Sequence, residues 1–291
     1  MKGRAVAHGA VSIVNAISIG KGAALGVSLE TEAEVKVEPR IGMSSFLFKS
    51  DTAEDPVLAK TTVKEVLNRY REGEFDVTVS TKSQIPAGKG LKSSSVASNA
   101  VALATLSALG ERVEDMRVVN LGVDASLKAG VTITGAFDDA CASFFGGFVV
   151  TDNTARKIVR QEPASEDLAV LIYIPEEKMY TKDFDKGKII PFRQKVSEAF
   201  DLALQGEYWK AMILNGQVHS SALGLTLKPA QEALDSGALA AGLSGTGPAV
   251  AALCDRNVVE EIKARWRDIP GDVLVTSVNN SKAEGVCLDE G

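Results

Sequence analysis

From Ser93 to Leu109 the chain carries no charged residue, and the run stops at Gly110. It is rich in alanine and free of internal Gly and Pro. This predicts a buried helix with a glycine stop at its C-terminus. Directly before it stands Pro86-Ala87-Gly88-Lys89-Gly90-Leu91-Lys92, leading into Ser93-Ser94-Ser95. The serines fall where N-cap and first-turn residues belong. A glycine-rich loop feeding a helix N-terminus gathers free backbone N–H groups and the positive end of the helix dipole. Lys89 and Lys92 add positive charge, and strand-like Phe75–Val79 lies a short way upstream. The combination predicts a phosphate site over residues 86–95, and so a nucleotide. The competing reading is an ordinary turn and cap. Two lysines inside the loop and a core-clamped helix behind it weigh against that.

The loop does not have the Walker A pattern, because Gly90 is followed by Leu91 where Lys-Ser/Thr is required. Gly20-Lys21-Gly22-Ala23-Ala24-Leu25-Gly26 imitates a dinucleotide fingerprint, with its third glycine one place late and no βαβ unit around it. It is read as a loop.

The length of 291 residues suggests two domains, and 45 % apolar residues supply a sizeable core. A net charge of −6, without lysine clustering, argues against nucleic acid or anionic membrane as partners. No apolar run has membrane-spanning length, and no signal peptide is recognisable. Cys141, Cys254 and Cys287 are too scattered for a disulfide framework or a zinc cluster. His8 and His219 lack metal-ligand spacing. These features suit a reduced cytoplasm.

Val27 to Glu38 alternates apolar and charged residues, which predicts a half-buried strand in an antiparallel or mixed sheet. Helical spacing appears over 55–71 and 115–128, and Gly147–Val150 reads as a strand. Polar residues 151–165 offer a domain boundary, drawn between 155 and 156. A second round follows: strands over 168–174, 249–253 and 273–278, and helices over 192–204, 208–219, 230–236 and 258–267. Without strict β-α alternation the class is α+β.

Two further motifs carry chemistry. Gly135-Ala136-Phe137-Asp138-Asp139 places adjacent carboxylates at the start of a small-residue helix ending in Gly146-Gly147. An aspartate beside a transferring phosphoryl group can orient the acceptor hydroxyl or take its proton. A helix cap is the equal alternative. Ser244-Gly245-Thr246-Gly247-Pro248 is a glycine turn before an apolar strand, where backbone can approach a phosphate closely.

Taken together, the three motifs resemble those of the GHMP kinases, the superfamily of galactokinase, homoserine kinase and mevalonate kinase. Pro86, Gly90, Leu91, Ser93 and Ser94 match the family's Pro-x-x-x-Gly-Leu-x-Ser-Ser-Ala, with Ser95 in place of the alanine. Asp139 stands seven residues before Gly146, as the family's catalytic aspartate does. Within the superfamily, residues 9–16, 86–99 and 132–143 look most like the archaeal type of shikimate kinase. The resemblance implies a two-domain α+β fold: an N-terminal domain over 1–155, similar to the second domain of ribosomal S5, and a ferredoxin-like C-terminal domain over 156–291. It also implies ATP and Mg²⁺ as cofactors and shikimate as acceptor, with homoserine or mevalonate as alternatives. A sensor that kept the fold without catalysis is a further rival. The implied roles are Asp139 as catalytic residue, residues 86–95 with Gly245, Thr246 and Gly247 as the nucleotide site, and Ser94 on Mg²⁺. The glutamate that holds the metal in several relatives would fall near Lys128 and Ala129, where Asp124 is the nearest upstream acid. Asn15, Lys21 and Arg193 are the candidates for the acceptor and its carboxylate.

Overall fold

The computed structural model describes residues 1–52, 56–176 and 186–288. Two sheets organise it. In the first, β1 (Lys2–Val14) pairs antiparallel with β2 (Lys21–Arg40). The far part of β2 pairs with β4 (Glu74–Ser83), whose outer edge takes β3 (Ser45–Ser50) in parallel. The near part of β2 pairs with β5 (Phe148–Asp152), which continues to β6 (Lys157–Glu162). β11 (Glu284–Cys287) closes the other edge against β1. The second sheet is antiparallel, in the order β10 (Asp272–Ser277), β7 (Leu168–Ile174), β9 (Val250–Asp255), β8 (Ala240–Leu243).

The predicted alternation in β2 is present from Thr31 to Val37, with Thr31, Ala33, Val35 and Val37 buried. Upstream, Gly22–Val27 is buried throughout. The stretch expected to be a loop at 20–26 is therefore mostly strand. Its glycines serve close packing: a Cβ on Gly22 would overlap the Asp138 carboxylate, and one on Gly26 would reach the Gly146 Cα at 2.9 Å.

The uncharged segment forms α2 (Ser93–Leu109), ended by Gly110 in the left-handed region. It lies on β1 and β2, surrounded by α1 (Pro56–Tyr70), α3 (Asp115–Lys128) and α4 (Phe137–Phe145). Asp55, expected to begin α1, lies outside the described residues. Contact between α2 and the sheet is close enough that a Cβ on Gly3 would overlap the backbone at Ala104 and Ala108. Gly3→Ala is therefore expected to destabilise by about 1–3 kcal/mol, read as a lower urea midpoint. An unchanged midpoint would mean that the sheet and α2 part without cost.

In the second half, α5 (Arg193–Leu204) and α6 (Tyr208–Leu223) pair with each other, and α6 packs on both β8 and β1. The helices α7 (Lys228–Asp235) and α8 (Val259–Trp266) pack against each other and on the second sheet. The sheets do not part between 155 and 156. That boundary would cut the β5–β6 hairpin, and β11 returns from the far end of the chain to the first sheet. Local composition marked a polar turn there, whereas strand pairing carries the first sheet through Glu162. Among the described residues, no helix is long and apolar enough to cross a membrane.

Candidate active site

The three serines at the start of α2 fill its first turn, as expected, but none of them is the N-cap. The residue at the N-cap of α2 is Lys92, in the left-handed region at φ 66°, and no side chain caps the helix. Ser93, Ser94 and Ser95 are instead the first three helical residues. Among the described residues, the backbone N–H groups from Gly90 to Ser95 find no acceptor. Such a row at the positive end of a buried helix is an anion cradle. A non-glycine residue in this conformation costs about 1–2 kcal/mol, so the Lys92 side chain is placed at the expense of backbone comfort.

The late glycine turn locks this loop. Ser244 Oγ donates to the Gly90 carbonyl at 3.0 Å, and the Ala249 N–H donates to the Lys89 carbonyl at 3.2 Å. Ser12 of β1 accepts from the Gly245 N–H at 3.0 Å. Gly90 has φ 80°, and a Cβ there would overlap the Ser244 carbonyl oxygen. Only glycine suits both the angle and the space.

The loop faces a cavity of about 390 Å³. Its lining includes loop residues 87, 88 and 90–95 with Gly245, Thr246, Asn15, Asp138 and Asp139. The apolar residues Phe48, Leu58, Ala97, Val101, Val131 and Ile133 also line it. Among the described lining residues, Lys92 is the one cation. Its Nζ lies 3.0 Å from Asp139 Oδ1, with both side chains nearly enclosed.

The two aspartates face different ways. Asp138 is packed against Gly22, and its Oδ1 accepts from Asn153 Nδ2 at 2.8 Å. Asn153 is itself held by the Thr151 hydroxyl at 2.6 Å. Asp139 meets Lys92 instead. Burial, and then the charge of Asp138, push the Asp139 carboxyl up to about 7, while Lys92 pulls it down. Both aspartates sit in the first turn of α4, which follows Ala136 in the left-handed region at φ 48°. Asn99 of α2 ties the two helices together by donating to the Ala140 carbonyl at 2.8 Å.

Several sequence candidates sit elsewhere. Lys89 is buried, and its Nζ donates to the Pro175 carbonyl and, at 2.8 Å, to that of Glu176. It ties the loop to the end of β7. Pro86 and Gly247 do not line the cavity. Lys21 is exposed on β2, 5.5 Å from the Phe200 ring, and Arg193 is exposed at the start of α5. Neither lines the cavity. Asn15 does, with its N–H donating to Asn215 Oδ1 at 3.0 Å. Asp124 is engaged by Arg69 at 3.1 Å and Arg156 at 2.7 Å, which leaves it unsuited to a metal. Sequence reading marked Ser244 only as part of the glycine turn and missed Ser12 and Asn215. All three act across more than 150 residues, and no local signal marks Ser12 or Asn215.

A helix-borne anion cradle, a second glycine turn locked onto it and an aspartate beside a buried lysine define a small-molecule kinase of the GHMP class. Comparison with known proteins agrees. The family described as GHMP kinases N terminal domain matches residues 58–147, and GHMP kinases C terminal matches 223–270. The chain belongs to the GHMP kinases. A shikimate kinase of Methanosarcina acetivorans is 44 % identical over 285 residues, covering 97 % of this chain and 96 % of that protein. One from Pyrococcus abyssi is 43 % identical over 285 residues, covering 96 % of this chain and all of its own. Among solved structures, homoserine kinase from Cytophaga hutchinsonii has a TM-score of 0.76 at 19 % identity, covering 98 % of this chain and 97 % of its own. Methanococcus jannaschii mevalonate kinase has a TM-score of 0.76 at 14 % identity, covering 95 % of this chain and 98 % of its own. These last two share the fold.

Proposed function

We propose that this protein transfers the γ-phosphoryl group of ATP to the 3-hydroxyl of shikimate. The observation that carries phosphoryl transfer is the Lys92–Asp139 pair standing beside unpartnered N–H groups at the head of α2. The acceptor rests on relatives named shikimate kinase at 41–44 % identity over nearly the whole chain.

The adenine packs on the apolar part of the lining, and the phosphates lie along residues 88–95. Asp139 accepts the proton of the 3-hydroxyl. That oxygen bonds to the γ-phosphorus as the bond to the bridging oxygen breaks, and ADP leaves. A carboxyl poised near 7 can both take and release that proton at neutral pH. Lys92 and the N-terminus of α2 stabilise charge on the transferring group, where positioning and electrostatics dominate.

The donors present fit Mg²⁺ carried in by ATP. Ser94 lines the cavity beside the cradle, and Mg²⁺ needs few protein ligands because it keeps waters and binds substrate phosphates. Bound there, it would neutralise phosphate charge, with Ser94 as its ligand from this chain.

The test is ADP release with Mg-ATP across a panel of alcohols. Shikimate should support turnover, and homoserine, mevalonate and galactose far less. Equal or faster turnover of any of those three would remove the acceptor assignment and leave the kinase class.

A further inference from the structure

The proposed transfer uses Asp139 and Lys92 and leaves the neighbouring carboxylate without a role. Asp138 lines the same cavity and is only 4 % exposed. One of its oxygens is engaged: Oδ1 accepts from Asn153 Nδ2 at 2.8 Å. The Thr151 hydroxyl donates to Asn153 Oδ1 at 2.6 Å, which turns the amide nitrogen toward Asp138. The Asn153 N–H donates to the Gly20 carbonyl at 2.9 Å, so this residue is held by its backbone as well. The second oxygen, Asp138 Oδ2, takes no hydrogen bond among the described residues, yet it is not sealed in. Oδ2 and the Ala16 Cβ both lie within 2.9 Å of the point that a Cβ on Gly22 would occupy. Ala16 lines the cavity together with Asn15 and Ile17.

A carboxylate has about four acceptor sites, and an enclosed one with few donors around it is costly. Asn153 has spent its amide on Oδ1, Gly22 has no side chain to offer, and Lys92 is engaged with Asp139. The donor that Oδ2 lacks therefore comes from the cavity. The alcohol that is phosphorylated brings donors of this kind. Asp138 and Asp139 are consecutive in the first turn of α4 and line one cavity, so hydroxyls on adjacent carbons of one molecule can meet both carboxylates at once. An alcohol with a single hydroxyl, placed at Asp139, would leave Oδ2 unsatisfied.

We propose that Asp138 reads the hydroxyl vicinal to the one that is phosphorylated: Oδ2 accepts a hydrogen bond from it, while Asn153 holds the carboxylate in place through Oδ1. The proposal rests on the shikimate reading above, in which that group is the 4-hydroxyl. It makes Asp138 the residue that favours a vicinal diol over an alcohol with one hydroxyl, and Asn153 a positioning residue that acts through it. A site built to hydrogen-bond a hydroxyl discriminates strongly against the analogue lacking it.

The test uses the full chain with Mg-ATP at pH 8, above the value of about 7 to which Asp139 is pushed, so that the base is ionised throughout. KM and kcat are measured for shikimate, 4-deoxyshikimate and 5-deoxyshikimate, and KM for ATP, with wild type, Asp138→Leu and Asp138→Asn. Folding is checked by circular dichroism. Wild type should have a KM at least tenfold higher for 4-deoxyshikimate than for shikimate, with a smaller change for the 5-deoxy analogue. Asp138→Leu should raise the shikimate KM at least tenfold, leave the ATP KM unchanged, and no longer distinguish shikimate from 4-deoxyshikimate. Asp138→Asn should narrow that preference without abolishing it, because its amide can accept from Asn153 and donate to the hydroxyl, but without the strength of a charged acceptor. A carboxylate with a merely structural role would move both KM values together and leave the preference intact. Equal wild-type KM values for shikimate and 4-deoxyshikimate, or an undiminished preference in Asp138→Leu, would overturn the proposal. If Asp138→Leu fails to fold, Asp138→Asn decides, and a preference equal to that of wild type would overturn it. Absence of shikimate turnover by wild type would remove the acceptor reading and the 4-hydroxyl assignment with it, whereas turnover without a 4-hydroxyl preference would remove this assignment alone.

Discussion

Asp139→Asn is expected to lower kcat with shikimate by about 10²- to 10⁴-fold, the usual range for losing a general base, while ATP still binds. Asparagine keeps the shape of the side chain and the packing of α4. It cannot take the acceptor's proton. Asp138→Asn should cost much less, because Asp138 faces Gly22 and Asn153 whereas Asp139 meets the cavity lysine. Single-turnover rates with saturating ATP separate the two. If Asp138→Asn proved the more damaging, with both proteins folded, the reactive carboxylate would be the other one. The wild-type pH profile carries its own sign. Asp139 acts as a base only when ionised, and its carboxyl is pushed up to about 7, so kcat/KM should rise with pH through about 7. Asp138→Asn should move that rise to lower pH, because the Asp138 charge is one of the influences holding Asp139 up.

Lys92→Met has the second large effect. Removing the one cation among the described lining residues should lower kcat about 10²- to 10³-fold, the cost of losing one group that stabilises transition-state charge. It should also move the pH profile upward, because Lys92 opposes the burial that raises Asp139. The two effects together distinguish this role from a helix cap. Methionine keeps the left-handed backbone cost and the stem of the side chain, so a stability change alone would leave the profile in place. A Lys92→Met enzyme with wild-type rate and wild-type pH dependence would show that Lys92 only shapes the loop.

Much of the site was legible locally. The anion cradle follows from residues 86–95, because glycines, a lysine pair and an uncharged helix are adjacent in the chain and need no distant partner. The choice of Asp139 over Asp138 rests on a motif count, and the geometry gives the two carboxylates different partners. One carboxylate is taken up by Asn153 and the other is offered to Lys92. The serines are first-turn residues as expected, but none is the N-cap, because capping depends on backbone angles. Here Lys92 adopts the left-handed conformation, which puts all three serines inside the helix.

The electrostatic candidates were the least legible. Composition offers Lys21, Lys89, Lys92 and Arg193 on equal terms, since a charge in a sequence carries no direction. Packing turned Lys89 onto the Pro175 and Glu176 carbonyls past β7, left Lys21 and Arg193 exposed, and enclosed Lys92 with the Asp139 carboxylate.

The sequence by itself determined the elements whose information is short-range. These include α2 with its Gly110 stop, the alternation of β2 beyond Thr31, the glycine-lysine loop before α2, and the family its motifs resemble. Tertiary structure decided what depends on partners far along the chain. It brought β6 and β11 into the first sheet, set Ser244 on the Gly90 carbonyl and Ser12 on the Gly245 N–H, and placed Asn215 on the Asn15 N–H. The physical reason is common to all of these. Helix propensity, caps and strand alternation are properties of neighbouring residues, whereas strand pairing, burial and the field at a buried charge are created only when distant segments exclude water together.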